Sequence, residues 1–275
     1  MADVELIATD LDRTFLGADR LPSALNARAV RQAAAAGVHV VFATGRPLRW
    51  LDVLEDFTCV RPSVLASNGA VSVDLASGRV LADETFPPGV LGPLVADLRD
   101  AVPGLRFCAE EAVGCVIEPG FDRDPLDRGV RGVGPIEDVL GPGHRPVKVL
   151  ARAFGVRSDL LLDRLAPVVA GRATATFSAL LDDGMVELAP PGVSKGSALA
   201  QLCIELGVDP AHAVAFGDMP NDLTMLDLVG RPYVVANAHP TVLARGYPVI
   251  GHHDNSAVGE AILALLAGRP VATVS

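Results

Sequence analysis

Several signals are missing from this 275-residue chain, and each absence narrows what it can be. Basic residues are in deficit: 23 Lys and Arg face 33 Asp and Glu, a formal net charge of -10. Nucleic-acid backbones are held by Lys and Arg, so no nucleic-acid partner is expected, although a small anion can still be bound locally. No uninterrupted apolar run reaches the roughly 18 residues a membrane span needs. The start of the chain carries Asp3 and Glu5 in place of a basic region leading into a long apolar one, so no signal peptide is expected and the location expected is cytoplasmic. The four cysteines, Cys59, Cys108, Cys115 and Cys203, form no CxxC pair and lie mostly in apolar segments, which reads as buried reduced thiols. Internal repeats and low-complexity segments are absent too.

What is present is an ordinary globular composition, 50% hydrophobic and 20% charged, long enough for about two domains. The most informative stretch is Leu6-Ile7-Ala8-Thr9-Asp10-Leu11-Asp12-Arg13-Thr14-Phe15. An apolar run stops abruptly at two carboxylates one strand period apart, which leave on the same side if the chain stays extended. Like charges that close repel unless a cation or a shared proton intervenes, and a hard divalent ion such as Mg²⁺ is suited to the task. A solvated turn after a strand would present the same residues. The remainder of the chain has to choose between the two.

Val4–Thr9 reads as a buried strand, and Leu21-Pro22-Ser23 opens an Ala-rich helix that ends at Gly37. Val38–Ala43 and Ser63–Ala66 are further strands, so strands alternate with helical stretches as in a parallel sheet covered on both faces. From about Ala82 to Leu188 the texture changes. Short strand-like runs at Leu105–Ala109, Val113–Glu118, Val147–Ala151 and Ala173–Phe177 are interleaved with helical patterns at Val90–Ala101 and Val156–Val169. Asp182-Asp183-Gly184 is a hairpin-turn signal, and Pro119–Pro146, which has no period, reads as an exposed loop with a short helix. This is an inserted α+β domain, and Pro190-Pro191-Gly192 returns from it. An amphipathic helix then carries Ser194 and Lys195 in its first turn. The strand Ala213–Phe216 ends in Gly217-Asp218-Met219-Pro220-Asn221-Asp222, and Tyr233–Val235 and Val258–Leu266 complete the pattern. The fold class expected is α/β: a doubly wound parallel core of residues 1–81 and 189–275 with an inserted α+β domain of residues 82–188.

Four apolar strands, far apart in sequence, each finish in a polar cluster: Asp10/Asp12/Thr14, Thr44/Gly45/Arg46, Asn68/Gly69 and Asp218/Asn221/Asp222. Ligands of open α/β sheets sit at the carboxyl ends of the strands, so these clusters should face one crevice. Core packing explains the apolar runs but not their endings.

Together with Gly192-Val193-Ser194-Lys195-Gly196, these stretches resemble the haloacid dehalogenase superfamily, specifically its Cof-like branch with a C2B-type cap. The motifs occur in family order and span nearly the whole chain. Arg13 departs from the usual Gly, and Phe15 from the usual Leu. The resemblance implies a Mg²⁺-dependent phosphatase acting on a small phosphorylated metabolite through an aspartyl phosphate. On that resemblance Asp10 is the nucleophile and Asp12 the general acid–base. Thr44, Gly45, Arg46, Asn68, Gly69 and Asn221 contact substrate, Lys195 offsets charge, and Asp10, Asp12, Asp218 and Asp222 serve the metal. Sugar phosphates or phosphorylated cofactors are the implied substrates. A phosphomutase of the same superfamily and a non-enzymatic phosphoaspartate switch are the alternatives.

Other polar residues read more blandly. His252-His253-Asp254 reads as a solvated loop whose adjacent histidines point apart, and Trp50 as packing. Arg46 and Arg49 bind substrate or pair with acids, and Glu187 touches either substrate or the inserted domain. Oligomeric state leaves no mark that can be read.

Overall fold

The computed structural model describes residues 4–121, 129–140 and 143–274. The first apolar run forms β1 (Leu6–Thr9), after which the chain bends through a wide turn closed by Leu16 N–H donating to Leu11 O. Helix α1 (Ala24–Ala35) begins at Ser23, whose hydroxyl caps the Asn26 N–H, and gives way to β2 (His39–Ala43). After β3 (Ser63–Ala66) come two strands that the sequence reading passed over, β4 (Val71–Asp74) and β5 (Arg79–Asp83). Asp74 ties the turn between them by accepting from Ala76 N–H and the Ser77 hydroxyl, and with no helix in the connection the two strands pair antiparallel.

The second sheet follows: α2 (Leu91–Ala101), β6 (Arg106–Glu111), β7 (Cys115–Ile117), β8 (Val130–Val133), β9 (Pro146–Arg152), α3 (Ser158–Val169), β10 (Thr174–Thr176) and β11 (Met185–Ala189). Of the stretch Pro119–Pro146, residues 122–128 and 141–142 lie outside the described residues. The rest is not simply loop, because β8 pairs parallel with β7 and a short 3₁₀ turn covers Ile136–Val139. β10 and β11 pair antiparallel across residues 177–184, a longer connection than a tight hairpin. The chain then returns through α4 (Lys195–Leu206), β12 (Ala213–Gly217), α5 (Leu223–Leu226), β13 (Arg231–Val235), α6 (Pro240–Leu243), β14 (Val249–Ile250) and α7 (Ala257–Leu266).

The larger sheet has the order β14-β13-β12-β1-β2-β3-β4-β5, parallel from β14 to β3. Alternate residues of its strands serve opposite faces. Ile7, Phe42 and Phe216 pack with α1 and α7, while Leu6, Ala8, Val41 and Ala215 pack with α4, α5 and α6. β1 lies where the connections diverge, toward β2 on one side and β12 on the other, and its carboxyl end opens into the crevice. The smaller sheet, order β10-β11-β9-β6-β7-β8, buries one face under α2 and α3. Strand β5 runs to Asp83 and β11 to Ala189, so the changeover between sheets falls a residue or two beyond 81 and 188. Among the described residues no helix is long and apolar enough to cross a membrane.

Candidate active site

At the carboxyl end of β1, Asp10 faces the first residue of α4. The Lys195 ammonium, fully buried, lies 2.5 Å from Asp10 Oδ1 and 2.7 Å from Asp222 Oδ1. A cation in the first turn of a helix is unfavourable against the helix dipole, and Lys195 is held there by two carboxylates instead. Asp222 is fixed in turn: its Oδ2 accepts from the backbone N–H of Asp218 and of Met219, both at 2.9 Å. Asp218 Oδ1 accepts from the Thr14 hydroxyl at 3.1 Å. Candidate ligand atoms of Asp10, Asp218 and Asp222 all lie within 4.8 Å of one another.

Three buried carboxylates and one ammonium leave an excess of negative charge. Burial pushes Asp10 up to about 7; Asp222 and Asp12 add to this, and Lys195 opposes it. Asp218 is driven well above the carboxylate range, first by burial and then by Asp10 and Asp222. Burial alone would lower Lys195, but the two carboxylates outweigh it and hold the ammonium protonated. Hard oxygen donors and surplus negative charge at this spacing suit a divalent cation, which would return the carboxylates to their ionised form.

Asp12 does not join this group. The chain leaves the extended conformation directly after Asp10, and the Asp12 carboxylate stays near enough to raise Asp10 but outside the buried Asp10–Asp218–Asp222 group. The Asp12 side chain is 46% exposed and takes a two-pronged pair from Arg46, Nε to Oδ2 at 2.7 Å and Nη2 to Oδ1 at 2.6 Å. Thr44, fully buried, accepts the Arg46 N–H on its hydroxyl at 3.0 Å, and its carbonyl accepts the Asn68 N–H. Asn221 Nδ2 donates to Asn68 Oδ1 at 3.1 Å, and the buried Asn221 Oδ1 has no hydrogen-bond partner among the described residues. Gly69, at φ +93°, is where this turn meets α4: a Cβ there would lie 2.6 Å from Ser194 O and 2.7 Å from the Ala198 Cβ.

Over these loops lies a charged row that the sequence reading did not assemble. Glu110 on β6, Lys148 on β9 and Glu187 on β11 sit on the face of the smaller sheet away from α2 and α3, all buried. Lys148 Nζ is 2.7 Å from Gly45 O and 3.2 Å from carboxylate oxygens of both Glu110 and Glu187. Glu187 also accepts from Asn68 Nδ2 at 2.8 Å and from the Ser178 hydroxyl, and Glu110 from Arg49 at 2.9 Å. Burial would raise Glu187, but Lys148 and Ser178 outweigh it and hold it below its ordinary value; Lys148 is raised because its two carboxylates exceed the cost of burial. The available signal was a lysine inside the apolar run Val147-Lys148-Val149.

Arg46 and Arg49 therefore pair with acids. Trp50 is 43% exposed and is not core packing. His252 and His253 do not point apart, since their rings lie 4.6 Å apart centre to centre. His253 is buried and donates from Nδ1 to Leu16 O, while Asp254 accepts from Ala18 N–H, so this loop braces the turn after β1. Cys59 is exposed, unlike the other three cysteines.

A two-sheet α/β molecule with a buried aspartate–lysine cluster at the carboxyl end of its central strand defines a class, and comparison with known proteins gives it a family. The profile of the haloacid dehalogenase-like hydrolases matches residues 7–262, and the chain belongs to that family, in its Cof-like branch. It is similar to the HMP-PP phosphatase of Cronobacter sakazakii, 30% identical over 91% of this chain and 92% of that one. It is also similar to the 5-amino-6-(5-phospho-D-ribitylamino)uracil phosphatase YwtE of Bacillus subtilis, 26% identical over 97% and 99% of the two chains. The crystal structure of SMU.1108c from Streptococcus mutans shares the fold at a TM-score of 0.81 and 23% identity, over 96% of this chain and 99% of that one.

Proposed function

We propose that the protein is a Mg²⁺-dependent phosphatase that hydrolyses a small phosphate monoester through an aspartyl phosphate on Asp10. The observation that carries this reading is the buried Lys195 ammonium bridging Asp10 and Asp222 beside Asp218. Residues 1–81 and 189–275 form the catalytic body on this reading, and residues 82–188 the cap. An Asp10 oxygen attacks phosphorus and the ester oxygen departs, taking a proton from Asp12. Water then attacks the acyl phosphate and gives its proton to Asp12, releasing phosphate and restoring Asp10. Asp12 turns from Arg46 to reach the leaving oxygen, a motion open to a half-exposed side chain. The Thr44 hydroxyl and Gly45 N–H hold phosphoryl oxygens, Arg46, Asn68 and Asn221 line the substrate side, Gly69 lets the loop meet α4, and Lys195 balances the charge that gathers as anion meets anion. Mg²⁺, held by Asp10, Asp218, Asp222 and the Asp12 backbone carbonyl, would neutralise the phosphoryl oxygens and orient them for in-line displacement. The substrate is a small phosphorylated metabolite of the kind for which the two phosphatase relatives are named.

The test is phosphate release from a panel of phosphorylated metabolites, with Mg²⁺ and with chelator. Asp10→Asn, nearly isosteric and leaving Lys195 its Asp222 partner, is expected to lose about 10⁴-fold or more in kcat with the fold intact by circular dichroism. Turnover near wild type removes Asp10 as nucleophile. Isomerised sugar phosphate without phosphate release would establish a mutase instead.

A further inference from the structure

The hydrolase reading gives the smaller sheet no chemical task, yet its charged row touches the loops on which that reading depends. Lys148 Nζ and Thr44 Oγ1 grip opposite ends of one peptide unit: Lys148 donates to Gly45 O at 2.7 Å, and the Arg46 N–H of the same unit donates to Thr44 Oγ1 at 3.0 Å. With one acceptor site of the Thr44 hydroxyl filled by the Arg46 N–H, its own O–H stays available to donate, which on the hydrolase reading is to a phosphoryl oxygen. Fixing the carbonyl end of an amide also strengthens donation from its N–H end. Glu187 works on the neighbouring loop: its Oε2 holds Asn68 Nδ2 at 2.8 Å, and the Asn68 N–H in turn holds Thr44 O at 2.9 Å.

We propose that Lys148, supported by Glu187, is a positioning residue that sets the Thr44 hydroxyl through the Gly45–Arg46 peptide, so that docking of the smaller sheet completes the phosphate-holding loop. The Lys148 ammonium donates to Gly45 O and to Glu187 Oε2 and lies 3.2 Å from Glu110 Oε2, so it is buried and ringed by oxygens of the protein itself. Lys148 therefore acts through protein atoms and not by reading the substrate. The docked arrangement leaves no charge stranded, since Arg49 and Lys148 face Glu110 and Glu187. Undocking would expose an ammonium and two carboxylates and release the Gly45 carbonyl.

The inference rests on the hydrolase reading, and the experiment separates the two. Steady-state kinetics are measured with Mg²⁺ on acetyl phosphate, whose leaving group is minimal, and on fructose 6-phosphate, for wild type, Lys148→Met, Thr44→Val and the double variant. Lys148→Met is expected to lower kcat by about 10- to 100-fold on both substrates alike. In the Thr44→Val background the same change is expected to cost less than about threefold, because the residue through which it acts has already gone. Equal losses with and without Thr44, or a loss confined to fructose 6-phosphate, overturn the inference while the hydrolase reading stands. Wild type that releases phosphate from no monoester or acyl phosphate overturns that reading and this one with it. Should Lys148→Met not fold, Lys148→Gln, which keeps one donor, takes its place in the same cycle with the same two outcomes.

Discussion

Arg13 shows how one residue can be at odds with its place. It sits at φ +59° directly after Asp12 in the turn that follows β1, a conformation that costs a side-chain-bearing residue about 1–2 kcal/mol. Its side chain is exposed, and its carbonyl accepts from Asn237 Nδ2, a bond that any residue here supplies. Glycine at this position gives back about 0.4–1 kcal/mol through a freer unfolded chain. Arg13→Gly is therefore expected to raise stability by about 0.5–1 kcal/mol in denaturant unfolding, and a destabilised variant would refute the account of strain. At the same scale, the identities of Asp10, Lys195, Asp218 and Asp222 were legible because carboxylates and an ammonium at strand and helix ends have no packing rationale. Lys148 and Glu110 were not, because a charge inside an apolar strand names no partner until strands are laid side by side.

At the scale of elements, the position of Lys195 depends on how α4 seats against its neighbours. Gly196 lies against α5 so closely that a Cβ would fall 2.3 Å from Thr224 O and 2.5 Å from its carbonyl carbon, both backbone atoms that cannot swing away. In an open helix, Gly to Ala gains about 1 kcal/mol of helix propensity. Here overpacking of about 1–3 kcal/mol wins, and the start of α4 must shift. Gly196→Ala is expected to destabilise the protein and, by displacing the Lys195 ammonium, to lower kcat by about 10²-fold. Wild-type kcat and stability together would show that α4 has room to spare. Strands and helices with strong period were readable in the chain, as α1 with its Ser23 cap and β1 to β3 attest. The β4–β5 ribbon was missed because its short strands are only partly apolar, and β8 because its pairing with β7 is set by the sheet and not by its own pattern.

For the whole molecule, the concentration of buried carboxylates ties stability to pH and to metal. Asp10, raised from 3.8 to about 7, favours the folded state while it is protonated, and that contribution is lost as pH rises through 7; Asp218 is shifted in the same direction. His239, lowered from 6.5 mainly by burial, acts in the opposite sense but only below pH 6.5, and Glu187 and Asp159, both lowered, act below about pH 4.5. Between pH 6.5 and 8 the chelated protein is therefore expected to lose stability, by at most about 1.4 kcal/mol per pH unit for each proton released. Mg²⁺ should raise the unfolding temperature more at pH 8 than at pH 6.5, because it binds the ionised cluster. A midpoint that climbs over this interval without metal would contradict the electrostatics of the site.

The sequence by itself determined the α/β class, the order of the core strands' polar endings, and which side chains carry the candidate chemistry, because period and residue type are local properties. Only the tertiary structure decided that Asp12 pairs with Arg46 outside the buried cluster, and that the smaller sheet reaches down to Gly45 and Asn68. Those facts depend on a turn's dihedral angles and on the register of strands 103 and 119 residues distant from the loops they touch. No stretch of chain encodes such distances, because they are fixed only when the sheets pack.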